Sequence, residues 1–514
     1  MATQFQQLRF GRDPRSTRLL YGILLLWGVT ITVVIVALLG TYGFNTPGTR
    51  YYLLPWCVAT GVVVAAPSLW LAYKGEFHPF HPVVFAGWSY FFPAFVIGGT
   101  LLACGFTEPY FLSFVQDESY NLPLTLVYVM IGYGCLSIGF FLPWAPRVGR
   151  WLNRKLPEWK LDNRDIPIPS TLLLIVGIGT VIVSFIQGLF GYQRAEDIPS
   201  YEGLLFLVTL FWIEGSFLLW LYIFRTRGFL RYVVGGTLLT ITLVRSAIRG
   251  DRFSLVQAVI VVAFAYVFTI GRLKIKHYVA GVLMLAAMMM VGMIYGTSFR
   301  SIKGNEPNAD PVEYLTAVGT TLSTLSEQDL SRSISVGSGA LAERLDSVSS
   351  LAVVVANYQA LAPYEQSWGI SNNIYVDSIT FFIPRIFWPD KPVAIEASKY
   401  GDLYFNYDEN AFLITPMGDL LRNFGPVGVP VGMLMLGMLL RLLYATLIEG
   451  LAFSYWRITA YFMLLTAISY ESTFGYIVPY LFKVGAACLS GMIVVVLVAL
   501  VLRRFLRTKP SPTV

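Results

Sequence analysis

Apolar runs of about 20 residues recur from one end of the chain to the other, broken by short polar turns. Each run is long enough for a helix to cross the hydrocarbon core of a bilayer, where only internally hydrogen-bonded backbone is stable. The pattern predicts about twelve spans, near 19–42, 52–73, 82–105, 123–145, 169–191, 203–225, 231–249, 253–271, 278–298, 426–446, 457–477 and 480–502. The first run, Leu19 to Tyr42, is too long for a signal-peptide core and lacks a small-residue cleavage site, so it is expected to remain as an anchor.

The basic residues give these spans a direction. Arg9, Arg12, Arg15 and Arg18 precede the first span, and the alternate turns carry Lys74, then Arg147, Arg150, Arg154, Lys155 and Lys160, then Arg225, Arg227 and Arg231, then Arg272, Lys274 and Lys276. Arg503, Arg504, Arg507 and Lys509 follow the last span. By the positive-inside rule these turns and both termini are expected to be cytoplasmic, as in a multi-pass membrane protein.

One segment interrupts the helix count. Between Arg300 and Gly425 no clean span occurs, and the stretch is rich in aromatics rather than low in complexity. The chain therefore divides into membrane helices over 1–299, a large extracytoplasmic loop over 300–425, and membrane helices with a tail over 426–514. Within the loop, Pro311 to Leu325 and Ala340 to Ala360 read as amphipathic helices. Ile374 to Trp388 reads as an aromatic helix at headgroup level. The loop is expected to fold as a cap over a cavity.

Composition supports the membrane reading: 56% of the 514 residues are hydrophobic and 13% charged, about half the charge of a soluble domain. The net charge of +7 is absorbed by the cytoplasmic turns and does not call for nucleic acid. Cys57, Cys104, Cys135 and Cys488 lie in or beside apolar runs and form no CxxC pair, so they read as packing residues. No internal repeat of the kind that marks secondary transporters is visible.

A second set of cations breaks the positive-inside rule on the outer side. It comprises Arg245, Arg249, Arg252, Arg300, Lys303, Arg332, Arg344, Arg385, Lys391 and Arg422. Guanidinium offers a fixed donor fork and a permanent charge, so a cluster facing outward suits an anionic ligand, phosphate above all. The structural alternative is local pairing: Arg252 with Asp251, Arg422 with Asp419, and Arg344 with Asp346 or Glu343. Glu214, midway along one span, is expected to pair with Arg245 on the next.

His78, His81 and His277 all fall at cytoplasmic turns, so an outward-facing general base would be a carboxylate, with Asp251, Asp377, Asp419 and Glu471 as the candidates. There is no Walker loop, dinucleotide fingerprint, HExxH or Asp-x-Asp, so neither a cofactor nor a metal is expected.

The stretch Ile383-Pro-Arg-Ile-Phe-Trp-Pro-Asp-Lys-Pro392, followed by Thr415-Pro-Met-Gly-Asp419 and Phe424-Gly-Pro-Val-Gly428, resembles the O-antigen or oligosaccharide repeat-unit polymerase family (Wzy-type). The Arg249-Gly-Asp-Arg252 turn and Glu343-Arg344-Leu-Asp346 are similar to positions in it. That family's spaced arginine–glycine pattern in the outer loops is not found here, so no catalytic role is carried over through it.

The resemblance implies an all-α, GT-C-like membrane glycosyltransferase. It would join oligosaccharide repeat units carried on undecaprenyl diphosphate, at the periplasmic face. A sugar hydroxyl attacks the anomeric carbon and lipid diphosphate leaves, with arginines stabilising the departing charge. Trp368, Tyr375, Trp388, Tyr400 and Tyr404 are candidates to stack on sugars, or else to anchor the loop at the interface. A chain-length regulator and a flippase are the implied protein partners. The competing assignments are an O-antigen ligase, which would be expected to use an outer-loop histidine that this chain lacks, a flippase, and a passive scaffold.

Overall fold

The computed structural model describes residues 48–187, 202–226, 228–249, 253–270, 275–304, 310–327, 330–381, 383, 387–388, 397–407 and 414–507. The expected span at 19–42 lies outside them. Among the described residues the secondary structure is helical.

Among the described residues, eight helices are long and apolar enough to cross a membrane. In chain order the elements begin with α1 (Leu54–Lys74), α2 (Pro82–Ala103), α3 (Glu118–Phe141) and α4 (Ala145–Lys155). Then come α5 (Pro167–Ile186), α6 (Leu205–Arg225), α7 (Leu230–Arg249), α8 (Phe253–Ile270) and α9 (Ile275–Lys303). The segment expected as a loop supplies α10 (Pro311–Glu327), α11 (Leu330–Leu345), α12 (Ser347–Ser367), α13 (Asn373–Thr380), α14 (Ala397–Phe405) and α15 (Thr415–Phe424). The last three are α16 (Gly428–Leu447), α17 (Tyr455–Ala467) and α18 (Phe474–Arg507).

The long apolar helices coincide with the expected spans near 52–73, 82–105, 123–145, 169–191, 203–225, 278–298, 426–446 and 480–502. The helix over 253–270 is shorter, and α17 has only 13 residues. Within α2 the backbone widens into π-helical turns across Gly87–Ile97, around Pro93, whose ring removes an N–H from the ladder.

Two loop expectations change. The single helix expected over Ala340 to Ala360 is two helices, because Asp346 caps the second: its Oδ1 accepts from Ser349 N at 3.0 Å and its Oδ2 from Ser349 Oγ at 2.5 Å. A side chain that satisfies the free N–H groups of a new helix stops the preceding one. Thr107 Oγ1 also donates to Asp346 at 3.1 Å, which ties the break to the end of α2. Of the helix expected over Ile374 to Trp388, the described residues show Asn373–Thr380 as helix, while Phe381, Ile383, Phe387 and Trp388 are not helical and the remaining positions lie outside the described residues.

Glycines set the helix contacts. A Cβ on Gly98 would lie 2.1 Å from the Leu345 carbonyl oxygen, so the α11–α12 junction rests directly on the α2 backbone. Gly177 of α5 and Gly215 of α6 allow those two helices to touch in the same way, as small residues do between membrane helices.

The two ends of the bundle differ in chemistry. At one end the turn 75–81 tucks His78 and His81 under Phe140, Phe268 and Tyr444, with His78 Nε2 3.1 Å from the Tyr444 hydroxyl. These histidines were expected at a turn and are at one, but buried; burial pushes the His78 imidazole down to about 3, so it is neutral. At the same end Arg503 Nε donates to Asp165 at 2.9 Å. Helices α12 to α15 pack at the opposite end, against the starts of α3 and α18.

Candidate functional site

The polar centre of the loop end is built around α15. Thr415 and Pro416 open this short helix, which carries Asp419 and Arg422 one turn apart. The Arg422 guanidinium is completely buried. Its Nη1 donates to Glu365 Oε2 at 2.8 Å and to the Ile370 carbonyl at 3.0 Å. Its Nη2 donates to Asp419 Oδ1 at 3.1 Å, to the Tyr400 hydroxyl at 2.5 Å, and to Asn373 Oδ1. Tyr404 donates to the other Glu365 oxygen at 2.6 Å.

Asp419 has a second set of donors. Asn423 Nδ2 reaches Oδ1 at 3.1 Å, and the Gly475 N–H at the start of α18 reaches Oδ2 at 3.0 Å. A Cβ at Gly475 would lie 3.1 Å from Asp377 Oδ2 and 3.2 Å from Asn373 Nδ2, a tight fit that brings both side chains close to this backbone. Asp377 is thus buried in the same cluster, against the first turn of α18. Five elements, α12 to α15 and α18, are tied together by one cation and its partners.

Burial and charge act against each other here. Burial raises the Glu365 carboxyl, with Arg422 and the Tyr404 hydroxyl opposing it. Burial alone would lower Arg422, but Asp419, Tyr400 and Glu365 together hold the guanidinium above its ordinary value, so it stays charged.

Three sequence candidates, Asp377, Asp419 and Arg422, therefore come together, but inside the protein. The local Arg422–Asp419 pair considered from sequence is present, as one bond of a larger network. Tyr400 and Tyr404, considered as sugar-stacking residues, are each 3% exposed and engaged in this network, so their rings are closed to a sugar.

Other candidates face outward. Arg344, at the end of α11, pairs with Glu471 rather than with Glu343 or Asp346. Its Nη2 lies 2.6 Å from Glu471 Oε2, with the side chains 57% and 39% exposed. Trp368, Tyr375 and Trp388 are exposed, the Tyr375 ring standing edge-on to Phe424 at 5.4 Å. Arg300 is exposed at the end of α9, beside a small satellite core of Phe299, Tyr314 and Ala317.

Glu214 and Arg245 do not form the expected pair. The Arg245 guanidinium lies 4.1 Å from the centre of the Trp212 ring, and both Glu214 oxygens are buried without a hydrogen-bond partner. The Arg249 side chain and residues Asp251, Arg252, Arg385 and Lys391 lie outside the described residues.

Glu365, Asn373 and Gly475 were missed as site residues. The signal for Glu365 is a carboxylate three residues before the aromatic Trp368 in an otherwise uncharged helix, but nothing local names its partner. Among the described residues no group of three or more His, Cys, Asp or Glu side chains is arranged to hold a metal ion.

Because Arg344 and Glu471 are solvated, Glu471→Gln is expected to change stability by only about 0–1 kcal/mol. Thermal unfolding in detergent checks this; a larger loss would mean the pair is a structural strut.

Fold and site define a helical membrane protein whose loop helices are locked to the bundle by a buried arginine. The chain belongs to the family described as a domain of unknown function (DUF8712), whose model matches residues 171–449, more than half of the sequence. The match includes Glu365, Asp419 and Arg422 and stops short of Glu471 and Gly475. No curated protein and no solved structure matches the chain.

Proposed function

We propose that this protein polymerises oligosaccharide repeat units carried on undecaprenyl diphosphate, by glycosyl transfer at the periplasmic face of a bacterial inner membrane. The observation that carries the reading is the exposed Arg344–Glu471 pair at the loop end. It sets a permanent cation beside a carboxylate in the open, and Trp368, Tyr375 and Trp388 are exposed as well. In the proposed reaction the hydroxyl of one unit forms a bond to the anomeric carbon of the growing chain. Glu471 accepts the hydroxyl proton. The bond from that carbon to the diphosphate oxygen breaks, and Arg344 stabilises the charge on the leaving lipid diphosphate. The exposed aromatic rings would offer apolar faces to the sugars.

The reading includes a GT-C-like arrangement of about twelve spans with both termini cytoplasmic. The buried network then acts as scaffold, holding α12 to α15 against α18 and so fixing where Glu471 stands relative to α11.

The test uses the purified full chain and a lipid-linked repeat unit, without nucleotide or added metal. Polymer is expected, and it should be lost in Glu471→Gln and Arg344→Ala. The resemblance adds Arg385→Ala and Arg249→Ala, expected to abolish polymer growth in cells while the protein still inserts. A wild-type ladder of chain lengths from those two variants would remove both residues from the site. Transfer to a lipid A core acceptor, without polymer, would favour a ligase; movement of the lipid-linked unit across vesicles, with no new glycosidic bond, would favour a flippase.

A further inference from the structure

Glu214 is an anomaly that neither the network nor the proposed reaction uses. It lies on α6, a helix that crosses the membrane by length and composition, and its side chain is fully buried. Neither carboxyl oxygen has a hydrogen-bond partner. It faces α18 at Gly491, where a Cβ would lie 2.0 Å from Oε2 and 2.6 Å from the carboxyl carbon. The glycine is a notch cut to admit this carboxyl. Among the described residues its titratable neighbour is the Cys488 thiol, also from α18 and also buried. Among the described residues no ion pair or hydrogen bond joins the carboxyl to α5, α7, α8 or α17. Arg245, the cation expected from sequence to pair with it, is turned onto Trp212.

An ionised carboxylate with no partner in a low-dielectric interior is very costly, so the group must be the neutral acid in this packing. The same helix that receives Glu214 at Gly491 donates the Gly475 N–H to Asp419. Sixteen residues of helix separate the two points, about 24 Å at 1.5 Å per residue. We propose that Glu214 is a proton-binding site within the membrane bundle, whose loss of its proton forces α6 and α18 apart at Gly491 and, through α18, loosens the Gly475–Asp419 contact at the loop end. The ligand is a proton, and the element it biases is the α6–α18 contact. This goes beyond the proposed glycosyl transfer and does not depend on it.

The test compares the full-length wild type with Glu214→Gln, which keeps shape and removes the titration. The acid is neutral when folded and ionises when the packing is lost, so raising the pH works against the folded state. The apparent Tm of the wild type is expected to fall relative to Glu214→Gln between about pH 4, below the ordinary glutamate value, and about pH 9. Backbone hydrogen exchange at the start of α18, compared at matched pH, is expected to be several-fold faster in the wild type at the higher value and equal at the lower one. A Tm difference that does not change with pH would overturn the proton site. A changing difference with equal exchange at both values would keep the site and overturn its transmission to Asp419. If Glu214→Gln fails to fold, Gly491→Ala supplies the second arm: it should lower the Tm of the wild type and do so less in a Glu214→Ala background. Equal losses in the two backgrounds would show that the carboxyl does not occupy the notch.

Discussion

Arg422→Met is expected to destabilise the protein by about 3–5 kcal/mol, the loss seen when one partner of a buried ion pair is removed. The reason is what stays behind. Glu365 and Asp419 are both buried and share this one guanidinium, so its removal strands two carboxylates where water cannot reach them. The Ile370 carbonyl, Asn373 and Tyr400 lose a donor in the same step. Arg422→Lys should recover only part of the loss, because a single ammonium cannot supply the separate Nη1 and Nη2 forks to Glu365 and Asp419. Adding Glu365→Gln and Asp419→Asn to Arg422→Met should restore some stability by removing the stranded charges, a coupling that single-residue effects would not add up to. Unfolding in detergent, followed by tryptophan fluorescence, measures all of these. An Arg422→Met protein as stable as the wild type would show that the network does not hold the loop helices.

The network also shows where sequence reading stops. Apolar runs and basic turns depend on composition within one segment, so they locate most of the long helices and separate the two ends of the bundle. The Arg422–Asp419 pair was legible because its members are three residues apart, on one helix face. Glu365 and Asn373, by contrast, stand 57 and 49 positions from Arg422, on other helices. Arg344 finds Glu471 across 127 positions, although Glu343 and Asp346 are its neighbours in the chain. The Glu214–Arg245 pairing failed for a related reason. Adjacent antiparallel helices give proximity, but rotation about each axis decides which side chains meet, and here it turns Glu214 toward α18 and Arg245 onto an aromatic face. The break at Asp346 had a local signal, an acidic cap followed three residues later by Ser349, within a run that otherwise reads as continuous helix.

Gly437→Ala is expected to cost at least the 1–3 kcal/mol typical of overpacking, about as much as any single methyl group added to this bundle. Helices α3 and α16 cross in backbone contact through a reciprocal pair. A Cβ on Gly437 would lie 2.0 Å from the Leu136 carbonyl oxygen, and one on Gly139 would lie 2.1 Å from the Leu434 carbonyl oxygen. Both obstacles are main chain, which cannot rotate aside as a side chain would, so the two helices must separate. The separation would also reach the polar network, since Gly132 of α3 sits against Met417 of α15, where a Cβ would meet Sδ at 2.7 Å. Gly134 of α3 provides the control, because a Cβ there meets nothing within 4 Å. Gly134→Ala should be neutral or stabilising by roughly 0.5–1 kcal/mol through helix propensity. Comparing Gly437→Ala, Gly139→Ala and Gly134→Ala in one unfolding assay separates close packing from propensity. If all three behave alike, backbone contact between α3 and α16 is not what these glycines provide; if the first two fall and the third does not, the crossing is fixed by the pair.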